Sequence, residues 1–152
     1  MDIKGKVISG AMRGSPLIDI YFHRLIGIIG FEPYKGTLDI RLEKAIDIKK
    51  FSTKAIEHVL LDGSRKTDAY LAPIEIVVGG ERYGCWAMRQ KEYIYSDTRL
   101  EIISKENIKE KFSLKDDDDI IIVMNEIPRK KKKKLRFIKN IYGSDRQLMK
   151  RK

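Results

Sequence analysis

Apolar and polar positions change period several times along the chain. Residues 2–9 alternate, with Ile3, Gly5, Val7 and Ser9 sharing one side, and predict a first strand. Gly10-Ala11-Met12-Arg13-Gly14 follows as a loop. Ile18, Tyr21, Phe22, Leu25 and Ile29 then recur at helical spacing, which predicts a helix over residues 16–29 with one buried stripe. Ser15 suits its N-cap and Pro16 its first helical position. Gly30 suits the left-handed residue that ends it. Pro33 and Gly36 bracket a turn. Leu38, Ile40 and Leu42 then alternate with Thr37, Asp39 and Arg41, which is strand period.

The second half reads as more strands. Ile46, Ile48 and Phe51 anchor a polar stretch. A strand is expected over residues 56–61, closed by an Asp62-Gly63 turn. Residues 69–78 are apolar and β-rich, and Pro73 marks a bulge or an edge. Val78-Gly79-Gly80-Glu81 is a hairpin signal, with residues 82–89 as the returning strand. Residues 100–103 predict another strand, and residues 119–124 the last. Between them Ser104 is expected to cap a short helix over residues 105–112, with Leu114 packed beneath. Many short strands with two short helices give a mainly β class and a small β-barrel.

Size and charge refine this picture. The chain has 152 residues, one domain by length, and is 42% apolar, which fits a globular core. Residues 128–152 hold 12 basic residues and one acid, a net +11, whereas residues 1–127 hold 20 basic and 21 acidic residues. The expected division is a barrel over residues 1–127 and a basic tail over 128–152. The single cysteine, Cys85, leaves no internal disulfide and no multi-cysteine metal site. His23 and His58 lack the spacing of a triad or a zinc site. Apolar stretches are short and broken by charges, so a soluble cytoplasmic protein is expected.

Two places carry candidate chemistry. Residues two apart on a strand share a face, about 6.5–7 Å apart. Thr37 and Asp39 therefore present a hydroxyl and a carboxylate side by side, away from the apolar row. Such hard oxygen ligands suit Mg2+, which is usually held by one or two protein groups plus substrate phosphates. The plainer reading of such a face is a solvated strand surface. Upstream, the order strand, glycine loop, helix start offers amides and a helix dipole to phosphate, with Arg13 as a counter-charge. The plainer reading there is a connection that needs glycine. Trp86, Tyr93 and Tyr95 suit stacking on a ring, or the barrel core and rim. Asp116 to Asp119 form an acidic turn.

Gly30-Phe31-Glu32-Pro33-Tyr34-Lys35-Gly36-Thr37-Leu38-Asp39-Ile40-Arg41-Leu42 resembles the signature of the archaeal CTP-dependent riboflavin kinases, Gly-Phe-x-Pro-Tyr-x-Gly-Thr-Leu-Asn-(Leu/Ile)-x-Leu. The resemblance begins at Gly5-Lys6-Val7-Ile8-Ser9-Gly10 and continues through Leu100-Glu101-Ile102-Ile103 and residues 107–116, over residues 3–124 in all. It implies a closed six-stranded cradle-loop barrel of the riboflavin kinase type. It also implies transfer of the CTP γ-phosphate to the riboflavin 5′-hydroxyl, giving FMN and CDP with Mg2+. Thr37 and Asp39 would be the catalytic, metal-holding pair. Gly10, Ala11, Met12, Arg13, Gly14 and Ser15 would bind the nucleotide, together with Glu106, Asn107, Ile108 and Lys109. Glu101 stands where the family contacts flavin.

The chain departs from that pattern at Met12, where the family's middle glycine is expected, and at Asp39, where the family has Asn. Lys109 replaces the usual Arg, and the family's flavin-binding Thr has no clear counterpart around residues 91–95. These departures and the tail carry an alternative: a catalytically impaired barrel paralogue that binds RNA or a ribonucleoprotein. Arg129, Lys130, Lys131, Lys132, Lys133, Lys134 and Arg136 would then neutralise phosphates.

Overall fold

The computed structural model describes residues 1–8, 18–91 and 98–127. The glycine loop with Ser15 and Pro16, the aromatic pair Tyr93 and Tyr95, and the basic tail fall outside the described residues. Seven strands are present among those described: β1 (Asp2–Ile8), β2 (Leu38–Leu42), β3 (Lys54–Val59), β4 (Arg65–Val78), β5 (Glu81–Gln90), β6 (Arg99–Ile103) and β7 (Asp119–Val123). Helix α1 (Phe22–Ile29) precedes β2, and α2 (Ile108–Lys111) precedes β7. A 3-10 turn, Ile48–Lys50, adds to the two expected helices.

All the strand pairings are antiparallel, in the order β3-β4-β5-β6-β2-β1-β7, and β7 also pairs with β4. That last pairing closes six strands into a ring and leaves β3 outside it, on β4. The expected six-stranded barrel is therefore present, with a seventh strand attached. Strand β4 serves both partners in turn. It pairs with β3 up to Leu71 and with β7 from Glu75 onward. Pro73 sits in the gap between them, bordered by a partner only on the β5 side. A proline without a ladder donor is tolerated there, as the expectation of an edge position required.

The alternation read from the sequence fills the ring. Ile3, Val7, Leu38, Ile40, Leu42, Ile74, Ile76, Leu100, Ile102, Ile120 and Ile122 belong to one buried cluster. Gly5 lies among them because there is no room for more: a Cβ on it would lie 2.6 Å from Ile40 Cγ2 and 3.1 Å from the Arg41 carbonyl oxygen. A second cluster lies on the opposite face of β4, β5 and β6. There Ile18, Leu25 and Ile29 meet Ile56, Ala69, Leu71, Met88 and Ile103. The predicted helical stripe thus buries against the outside of the barrel. The barrel wall has two apolar faces where the helix covers it and one elsewhere.

Several boundaries differ from expectation. Residues 18–20 are helical, but Tyr21 breaks the helix at φ −107°, ψ 20°, and α1 resumes at Phe22. The break falls where the Tyr21 hydroxyl donates to Asp68 on β4 at 2.6 Å. Gly30 ends α1 at φ +82°, as its placement predicted, and its N–H donates to the Ile26 carbonyl at 2.9 Å. The strand expected over 56–61 is β3, two residues earlier, because Leu60 and Leu61 belong to the turn region that Gly63 closes at φ +86°. Gly79 and Gly80 both take positive φ, the geometry a two-residue hairpin needs. Ser104 does not cap α2. Asn107 does, its side-chain oxygen accepting from Glu110 N at 3.3 Å, while the Ser104 hydroxyl donates to the Glu106 carbonyl.

Candidate active site

Strand β2 lies between β1 and β6, and this placement decides what surrounds Asp39. Register sets Asp39 opposite Glu101 on β6 and opposite Ile8 on β1. Glu101 is in turn opposite Met88 on β5. Period 2 puts Arg99, Glu101 and Ile103 on one face of β6. Since Leu100 and Ile102 fill the barrel, that face is the outer one, shared with Met88 and Ile103 of the second cluster.

Thr37 and Asp39 are brought together as the alternation predicted. Thr37 Oγ1 donates to Asp39 Oδ1 at 3.3 Å. The plainer reading, a solvated strand surface, does not hold for Asp39, which is 5% exposed. Its other oxygen, Oδ2, meets Arg99 Nη2 at 3.5 Å. Burial raises the Asp39 carboxyl above its ordinary value, against the pull of Arg99 and Thr37. Glu101 is equally buried, and its Oε2 has no hydrogen-bond partner among the described residues. Burial, and then the neighbouring Asp39, push its carboxyl up to about 7. Two acids, one hydroxyl and one guanidinium thus share a small, poorly solvated patch. Arg99 was missed in the sequence. It stands two before Glu101, so period 2 could have placed both on one face, but nothing local shows that this face meets Asp39.

The oxygen set can be tested for Mg2+. No group of three or more His, Cys, Asp or Glu that could hold a metal occurs among the described residues, so an all-protein cage is absent there. A hydroxyl and a carboxylate 3.3 Å apart, beside a buried oxygen lacking a partner, fit the sparse, hard set that Mg2+ takes when phosphates complete its shell.

The segment after β6 is drawn toward the Pro33–Gly36 turn. Tyr34 N–H donates to the Ser104 carbonyl at 2.8 Å, and the Tyr34 hydroxyl accepts from Asn107 Nδ2 at 3.2 Å. This fixes Asn107 near the start of the Thr37 segment. The other sequence-named residues here differ in what they offer. Glu106 pairs with Lys111 at 3.0 Å and Lys109 with Asp116 at 3.1 Å, all on the surface. Ile108 is 3% exposed and part of the barrel core, so its side chain is not offered to a ligand. Gly10 to Ser15 lie outside the described residues.

A closed ring of six antiparallel strands, with a helix over one outer face and an acidic patch between β2 and β6, defines the class: a small closed β-barrel with a buried acidic pair on its wall. The family follows from comparison with known proteins. The model of the CTP-dependent riboflavin kinase family, described as a domain of unknown function, DUF120, matches residues 7–124, and the chain belongs to this family of phosphotransferases. A riboflavin kinase of Methanococcus vannielii is 29% identical over 119 residues, covering 76% of this chain and 92% of that protein. A riboflavin kinase of Aeropyrum pernix is 26% identical over 118 residues, covering 74% and 87%. One of Methanococcus aeolicus is 23% identical over 115 residues, covering 74% and 90%. No helix among the described residues is long and apolar enough to cross a membrane.

Proposed function

We propose that the protein phosphorylates riboflavin to FMN with CTP as phosphate donor and Mg2+ as the metal. The observation that carries this reading is the hydroxyl–carboxylate pair of Thr37, just before β2, and Asp39, on the outer face of β2 directly opposite buried Glu101. Phosphoryl transfer asks a protein for positioning and charge neutralisation more than for a nucleophile. Bound Mg2+ would neutralise phosphate charge and hold the transferring group.

The chain's own residues divide the remaining work. Thr37 Oγ1 and Asp39 Oδ1 give two oxygens in a fixed relation for the metal. The Gly10–Ser15 loop offers backbone amides to the phosphates, with Arg13 as counter-charge. Asn107 and Lys109, and the backbone at Glu106 and Ile108, contact the rest of the nucleotide. Lys109 supplies charge there without a guanidinium's two-pronged geometry. Glu101 accepts a hydrogen bond from the flavin through the oxygen that the barrel leaves without a partner.

Incubation of the pure, folded protein with riboflavin, Mg2+ and either CTP or ATP tests this, with FMN read by chromatography. FMN from CTP is the expected product, and none from either nucleotide would overturn the reading. The net +11 of residues 128–152 favours one addition, an RNA-binding role for the tail. Filter binding against salt, with and without those residues, tests it. A steep salt slope that vanishes on truncation is expected.

A further inference from the structure

Asp39 brings a negative charge to a position where the resembled signature carries a neutral Asn. That charge is buried at 5% exposure and faces a second acid across the ladder. Left alone, such a pair would work against the β2–β6 pairing. One guanidinium reaches it: Arg99 Nη2 lies 3.5 Å from Asp39 Oδ2. Thr37 holds the other oxygen, Oδ1, at 3.3 Å. The carboxylate is therefore gripped at both ends, and the oxygen beside Thr37 is the one turned toward the hydroxyl.

We infer that Arg99 is a positioning residue of this chain, which offsets the Asp39 charge and fixes the orientation of its carboxylate, so that Asp39 and Arg99 together replace a neutral side chain. The two residues act as a unit. Removing Arg99 alone leaves the Asp39 charge without this counterpart in a poorly solvated place, whereas removing both charges does not. The inference rests on the kinase reading only for its activity arm.

The test is a cycle of Arg99→Leu, Asp39→Asn and the double variant, read in two ways. Metal-free thermal melts come first. Arg99→Leu should lower Tm by about 5 °C, and the double variant should recover most of that loss. Kinetics come second. Arg99→Leu should lower kcat on the order of 10- to 100-fold, as loss of an orienting partner does, with the riboflavin KM within about threefold. The double variant should regain roughly tenfold of the loss in kcat.

Additive effects in the melts, or a folded Arg99→Leu with unchanged kcat, would overturn the inference. Should Arg99→Leu not fold, Arg99→Gln takes its place: the charge is removed and a long polar side chain kept, with the same rescue by Asp39→Asn expected. A parent protein without kinase activity would sink the proposed function, and the melts alone would then decide the coupling.

Discussion

Asp39 on β2 and Glu101 on β6 are direct cross-strand partners, and each is 5% exposed. The consequence is a pH dependence of known sign. Burial and Asp39 raise Glu101 from an ordinary 4.5 to about 7, so the folded chain keeps a proton that the unfolded chain has released. Between those two values the folded state binds more protons, and stability falls as pH rises. Above the folded value the loss levels off at about 3 kcal/mol. Glu101→Gln should therefore stabilise the metal-free protein at pH 8 and change little at pH 4.5. Denaturant titrations at both values check this, and an equal offset at the two would contradict it.

Thr37→Val keeps the shape of the side chain and removes its hydroxyl. In the proposed reaction it should lower kcat/KM on the order of 100-fold and raise the Mg2+ concentration needed for half-maximal rate. The fold should survive, since Thr37 precedes β2 and lies outside the barrel cluster. Rate measurements across an Mg2+ series, beside a melt, separate the two effects. A variant with the parent's Mg2+ dependence would remove Thr37 from the metal site.

Gly5→Ala should cost about 2 kcal/mol by crowding the barrel interior. The new methyl would lie 2.6 Å from Ile40 Cγ2, and the neighbouring Arg41 carbonyl at 3.1 Å leaves no room on that side. Unfolding in urea gives the number. A neutral effect would mean that β1 and β2 separate more readily than their shared ladder suggests.

The helix is pinned to the barrel by a polar contact. Asp68 Oδ2 accepts from the Tyr21 hydroxyl at 2.6 Å and meets His58 Nδ1 at 2.9 Å. Partial burial raises the Asp68 carboxyl, but these two hydrogen bonds together with the electrostatic pull of His58 and Lys66 outweigh it and hold it below its ordinary value. A lowered carboxyl gives stability that is present above pH 3.8 and lost as pH falls further. Tyr21→Phe should cost about 1 kcal/mol at neutral pH, and much less in an Asp68→Ala background. A double-mutant cycle by chemical denaturation measures the coupling. Equal costs in both backgrounds would show that the bond does not hold the helix.

What could be read in the sequence was whatever depends on near neighbours. The stripe Ile18, Leu25, Ile29 and the alternation of Leu38, Ile40 and Leu42 survive folding because period is a property of one element. Gly30, Gly79 and Gly80 could be placed because positive φ leaves few other residues. Thr37 beside Asp39 followed for the same reason, being two apart on a strand. The burial of Asp39 could not be read. It depends on β2 lying next to β6, a pairing of segments far apart in the chain, and on a second apolar layer outside the barrel. Asn107 took the cap from Ser104 because the hydrogen bond that matters runs to Glu110, three residues on, and Asn107 has the right spacing.

The ring is closed by β7 alone, which pairs with β1 on one side and β4 on the other. Synthesis from the N-terminus therefore leaves two bare ladders waiting until residues 119–123 emerge. A nascent or truncated chain that stops short of them presents two sticky borders at once, and self-association is then the competing outcome. Cooperative folding of the barrel waits on that final β-strand, and a release assay on stalled ribosomes would place its onset there.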